Sequence, residues 1–269
     1  MSATHDLAQA IADIEADALP DWVFQEAKRT LVNILAVSIS AQNAAPVVAL
    51  TAWADAEGAA SRATVVASGL RTSPTLAALV NGYMAHIQDY DDTHFPSVLH
   101  PTAPVWPAVL ALAEDIGASG RDALAAFAIG AEVACRVSMS VHPWHYDAGW
   151  HITGTAGVFG AVAAAGWLLK LTPDQLANAF GAGGTQAGGV REVFGSDSKA
   201  IHPAKAASNG LQAATLAKAG FTGPDDVIGG RRGFWAVLSA AGHDELALTA
   251  GFGKHWELAQ NGLKPYANG

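Results

Sequence analysis

From Gly154 to Leu169 the chain carries no charged side chain, and Gly154, Gly157, Gly160 and Ala164 recur at helical spacing. A helix that is apolar all round has to lie inside a protein core or a membrane. This stretch is shorter than the roughly 20 residues that a bilayer crossing needs. It is therefore expected as an interior helix with one bare face, against which neighbouring helices can approach closely. The same bareness would also let a backbone come near a ligand.

Around that segment the apolar pattern predicts helices over 6–16, 21–42, 44–57, 74–90, 101–116, 120–141, 153–171, 172–180, 202–220 and 234–241. Pro20 lies near the first turn of the long 21–42 helix. Ser73-Pro74 combines a favoured N-cap with a residue suited to the first helical position. Thr153 is the expected cap of the glycine-faced helix. Only Ala63 to Val66, with its β-branched residues, reads as a small strand. With no tandem repeat, linker or charge block, residues 1–269 are expected to form one all-α domain.

Composition narrows the function. Apolar residues make up 51% and charged residues 14%, which excludes a disordered chain, and Cys135 has no partner for a disulfide. The formal charge of −9 argues against nucleic acid as a partner, and it means that an anionic substrate needs a local cationic pocket. Residues 1–17 hold acidic groups and no basic run, so they do not read as a signal peptide. A cytoplasmic protein without a membrane partner is expected.

Seven of the ten histidines lie between His86 and His202. The first concentration includes His86, Asp89, Asp91, Asp92, Thr93, His94 and His100. Mixed imidazoles and carboxylates suit a divalent metal, a metal-free acid–base site, or simple capping of the next helix. No HExxH or cysteine pattern favours metal. The second concentration, His142 to Thr155, crowds imidazoles and aromatic rings before the glycine-faced helix, leaving Thr155 and free N–H groups for an anion. The third places Lys199, His202 and Lys205 together in a chain with 15 basic residues. Lys264, in Lys264-Pro265-Tyr266, reads on its own as a solvated lysine.

Asp89-Tyr90-Asp91-Asp92-Thr93-His94, His100-Pro101, His151-Ile152-Thr153-Gly154-Thr155, the Gly-Ser-x-x-Lys segment ending at Lys199, His202-Pro203 and Lys264-Pro265-Tyr266 together resemble the MmgE/PrpD family of 2-methylcitrate dehydratases, cis-aconitate decarboxylases and iminodisuccinate epimerases. The resemblance implies an all-helical, usually dimeric domain and cofactor-free, metal-independent proton chemistry on a small di- or tricarboxylate. It implies catalytic roles for Asp89, His100, His151 and Lys199, with Thr93, His94, Thr155, His202, Lys205 and Lys264 binding substrate. Asp89 is either the base or the group that orients an imidazole.

Two departures qualify that expectation. The family's Lys-Arg-x-His-x-Gly-Arg run is Lys199-Ala200-Ile201-His202-Pro203-Ala204-Lys205 here, and lysine does not replace arginine at a bidentate carboxylate site. Family members also continue past Lys-Pro-Tyr into an α+β lid domain that this sequence does not contain. Two functions are thus expected as alternatives: a lyase or isomerase of this family, or an inactive helical dimerisation module.

Overall fold

The computed structural model describes residues 2–268. Twelve α-helices are present among these residues: α1 (Ala3–Ala12), α2 (Asp21–Ala41), α3 (Ala45–Glu57), α4 (Pro74–His86), α5 (Thr102–Ile116), α6 (Gly120–Val141), α7 (Trp144–Asp147), α8 (Ile152–Leu168), α9 (Pro173–Gly184), α10 (Ile201–Lys218), α11 (Phe234–Leu238) and α12 (Leu246–Thr249). Two antiparallel pairs of two-residue strands complete the fold, β1 (Ala63–Thr64) with β2 (Arg71–Thr72) and β3 (Thr93–His94) with β4 (Asn261–Gly262). The all-α expectation holds.

Local chemistry sets most helix ends. Ser73 caps α4 through its hydroxyl, Ser119 caps α6, and Thr172 with Gln175 forms a reciprocal capping box on α9. α1 starts earlier than its pattern suggests, because Ser2 accepts from His5 N–H, and it stops at Ala12. α4 ends at His86 rather than running on to Tyr90, because Asp89 adopts a left-handed backbone at φ 49° that no helix interior accepts. Thr153 does not cap α8. His151 occupies the N-cap, and Thr153 lies inside the first turn with its hydroxyl accepting from His100 N–H at 3.2 Å.

α8 is the central helix, packed by α6, α10, α5 and α9. Its glycines serve close packing. A Cβ at Gly130 of α6 would lie 2.6 Å from the carbonyl oxygen of Gly160, and one at Gly160 would lie 2.6 Å from that of Gly130. The two helices therefore cross backbone to backbone. Gly210 of α10 approaches Val158 of α8 in the same way. α6 is long and apolar enough to cross a membrane, but here its faces are buried under α8, α5, α2 and α12.

Buried within α6, Glu132 and Arg136 pair at 2.6 Å and fasten the last part of the described chain. The Arg136 guanidinium donates to the carbonyls of Ala250 and His255, each at 2.9 Å, while Glu132 accepts from Glu257 N–H at 2.6 Å. From there the chain returns through β4 onto β3. Lys264 is thereby carried to the turn that follows α4.

Candidate functional site

The N-terminal ends of α5, α8 and α10 meet the C-terminal end of α4, so three helix dipoles present partial positive charge to one region. His100 stands just before α5, His151 caps α8, and Lys199 lies in the helical turn Asp197–Ala200 that leads into α10. Tyr83 of α4 steadies that turn by donating to the Asp197 carbonyl at 3.0 Å.

Asp89 is the centre of the charged groups. Its two carboxylate oxygens accept from Lys199 Nζ at 2.7 Å and Lys264 Nζ at 2.5 Å, and Lys264 also reaches the Asp89 carbonyl at 2.9 Å. Burial disfavours the Asp89 charge, but the bonds from Lys199 and Lys264, with His100 and His86 nearby, outweigh it. The carboxyl is held well below the usual carboxylate range. Asp89 is thus an anchored anion and a poor base.

His100 is arranged differently. Its Nδ1 lies 2.7 Å from the Asp92 carbonyl, which can only accept, so Nδ1 carries the hydrogen and Nε2 keeps a free lone pair. Thr93 Oγ1 is 3.2 Å from the same Nδ1, and Nε2 faces Asp89 Oδ1 at 3.8 Å. Burial pushes His100 down to about 4 against the pull of Asp91, which leaves a neutral imidazole. His151 and His202 share a hydrogen bond between their Nδ1 atoms at 2.9 Å. Both are lowered, first by burial and then by the positive charge around them. Gly189, at φ 138°, lets the chain pass His202, since a Cβ there would come within 2.9 Å of the ring.

Of the ten residues singled out from the sequence, Asp89, His100, His151, Lys199, Thr93, His202 and Lys264 converge. Three do not. His94 is turned to the other side of β3, where Nδ1 meets Ser97 Oγ at 2.8 Å and Nε2 meets Glu257 at 3.1 Å; adjacent residues of a strand face opposite ways. Thr155 is fully buried and donates to His145 Nε2 at 2.6 Å, so no hydroxyl is left for an anion. His145 is itself bonded through Nδ1 to the Leu238 carbonyl at 2.7 Å, and burial lowers it to about 4. Lys205 lies on the outer face of α10, exposed to solvent.

The cluster also holds residues that the sequence reading did not count among its site residues. His86 and Asp91 sit behind it, fully buried, with Nδ1 2.8 Å from Oδ2. Asp92 accepts from Thr102 N–H at 3.2 Å, from the Thr102 hydroxyl, and from Asn261 at 2.5 Å, tying α5 to β4. Phe194 sets its ring edge-on to His151 at 4.9 Å and lies 5.1 Å from Lys199 Nζ. His86 was signalled by its spacing three residues before Asp89, and Asp91 and Asp92 by the carboxylate-rich run and its motif, whereas Asn261 had no sequence signal.

His86, Asp89 and Asp91 each offer a ligand atom within 4.8 Å of one another. Two ammonium groups already occupy both oxygens of Asp89, so a dication would have to displace them against their repulsion. The donor set fits an anion better than a metal. A separate concavity of about 710 Å³ between α9 and the Gly230–Gly233 loop is lined by none of the seven converging residues.

Residues 5–246 match the model of the MmgE/PrpD N-terminal domain. The chain belongs to the MmgE/PrpD family. Cis-aconitate decarboxylase of Homo sapiens is 30% identical over 244 residues, covering 88% of this chain and 50% of that protein. The cis-aconitate decarboxylase-like protein oryM of Aspergillus oryzae is 27% identical, covering 98% of this chain and 58% of its own. Cis-aconitate decarboxylase of Aspergillus terreus is 26% identical over 98% of this chain and 56% of its own. The chain thus spans about half the length of the curated relatives it matches.

Proposed function

We propose that this chain supplies the cationic half of a lyase site that binds a small di- or tricarboxylate and moves a proton at the carbon next to one of its carboxylates. The observation that carries this reading is the contrast at Asp89: two ammonium groups converge on it while a neutral imidazole, with its lone pair free, stands beside them. Lys199 and Lys264 are matched in charge by Asp89 and Asp91, so the attraction for an anionic ligand rests on the unused N–H donors of the two ammonium groups and on three helix N-termini.

In the proposed step Lys199 and Lys264 hold the substrate carboxylate on which negative charge grows, so the charge is met by donors already in place. His100 Nε2 takes the proton from carbon when a C–H bond breaks. When a C–C bond breaks instead, CO₂ leaves, the electron pair passes to the remaining carbon framework, and a protonated imidazole returns a proton to it. A positioned base of this kind is worth roughly 10²–10⁴-fold in rate. Asp89 orients the two lysines, and no metal is needed for either step. The names of the relatives favour a cis-aconitate-like substrate; dehydration and epimerisation use the same groups.

Calorimetric titration with cis-aconitate, citrate and an iminodisuccinate analogue tests the reading. Binding that weakens about tenfold or more in K199M is expected. No binding of any of the three, or binding indifferent to K199M, overturns it. Turnover of cis-aconitate with CO₂ release by this chain separates catalysis from a binding-only helical module. A homodimer in the cytoplasm is part of the same proposal, and sedimentation of the purified chain tests the assembly.

A further inference from the structure

His86 and Asp91 have no role in the step just described, yet they are the most deeply buried ionisable pair beside it, with both side chains fully shielded from solvent. Asp91 Oδ2 fixes the hydrogen on His86 Nδ1, which leaves His86 Nε2 with a lone pair, buried and without a hydrogen-bond partner. A buried polar atom left unpaired is costly, so its retention calls for a reason. The ring lies with its centroid 5.1 Å from that of His100 and 5.6 Å from that of His151, and His151 lies 5.1 Å from His202. Four imidazoles therefore form one contiguous group.

Among these four, His86 differs in its second nitrogen. His100 rests on a carbonyl, and His151 and His202 rest on each other, whereas His86 rests on a carboxylate. A carboxylate stabilises an imidazolium far better than a neutral acceptor does. The charged and titratable groups facing His86 are Asp89 and Asp91 from the turn after α4, His100 from the head of α5 and His151 from the head of α8. Lys199 and His202 come from the head of α10, and Lys264 from beyond β4.

We propose that His86, held by Asp91, is a positioning residue that stores the proton of this imidazole group and so keeps His100 free to act as base. The N–H bond at His100 Nε2 breaks with its electron pair staying on that nitrogen. That proton goes to solvent and an equivalent one is bound by the lone pair of His86 Nε2, which is not hydrogen-bonded to His100, and the new imidazolium is balanced by Asp91. The total charge of the group does not change. Burial of Asp91 opposes its ionisation, but His86 and His100, then Lys264, outweigh burial and keep it a carboxylate. A positive charge on His86 in turn contributes to holding His100, His151 and His202 neutral. This inference deepens the proposed carbon-acid chemistry and rests on it for its purpose, but not for its test.

The test is nitrogen-detected NMR of the chain labelled with ¹⁵N-histidine, with no ligand, across a series of pH values. The expected result is that, on acidification, His86 is the first of the four rings to carry two protonated nitrogens while His100 Nε2 stays bare. D91N, which keeps the shape of the side chain, is expected to abolish that first signal. A first proton on His100, His151 or His202, or a His86 signal unchanged in D91N, overturns the inference whether or not a carboxylate binds. Absence of carboxylate binding with the expected NMR result overturns the proposed function alone. Where turnover is measurable, D91N is expected to lower kcat about 10²-fold with KM nearly unchanged.

Discussion

The body of α8 and the head of α8 belong to one helix and are built from opposite materials. Along the body, Gly160 meets Gly130 with no room for a single added carbon, and no charge is present. At the head, His151 adjoins the imidazoles of His86 and His202, with His100 next to His86, and Asp89, Asp91, Lys199 and Lys264 lie beside them. The body is sensitive to volume, whereas the head is sensitive to protons. A helix whose interior contacts leave no freedom can hold ionisable groups at fixed distances without stiffening them individually.

Volume is the first way to break this contrast. Gly130→Val forces its Cβ against a backbone oxygen that cannot move aside, and it is expected to cost about 3 kcal/mol or more, or to prevent folding. Urea denaturation measures it. If Gly130→Val is tolerated, the backbone crossing is not the constraint described here.

Proton affinity tests the head, where Asp89 and Asp92 predict opposite slopes. Burial raises Asp92 from 3.8 to about 6, with the Thr102 and Asn261 bonds opposing and Asp91 adding to the rise. The folded state binds that proton more tightly than the unfolded chain does. Its contribution is therefore complete below about pH 4 and is lost as pH rises through about 6, an effect of about 3 kcal/mol at most. D92N is expected to flatten the stability profile in that window. Glu132, which burial raises to about 7 against Arg136, acts with the same sign at slightly higher pH. Asp89 has the reverse sign. Its stabilisation is present above the ordinary carboxylate range and disappears as pH falls below it. K264A is expected to remove part of that acid-side loss and to cost about 1 kcal/mol at neutral pH. The smallest effect belongs to K205A, expected within about 0.5 kcal/mol of the parent and without influence on carboxylate binding.

These differences also explain what could be read from the amino acids alone. α6 begins and ends where its pattern places it, because periodicity is a local property, and the structure adds Ser119 as its cap. The end of α4 was not legible, since only the lysines arriving at Asp89 justify a left-handed turn at that residue. Asp89, His100 and Lys199 were singled out through their motifs, and the fold brings them together. Thr155 and His94 were misplaced because their partners, His145 and Glu257, are set by packing rather than by neighbouring positions. His86 was visible on the same helical face as Asp89, but its solitude in the interior belongs to three dimensions. Asn261 had no sequence signal, for β3 and β4 pair across most of the chain.

The strap from Arg136 through β4 to Lys264 has a consequence for biosynthesis. As the polypeptide leaves the ribosome, Asp89 meets Lys199 well before Lys264 has been made, so the nascent fold holds this carboxylate with one cation only. The second cation arrives after the helical body has had time to close. Occupation of both Asp89 oxygens therefore waits on the segment around Lys264.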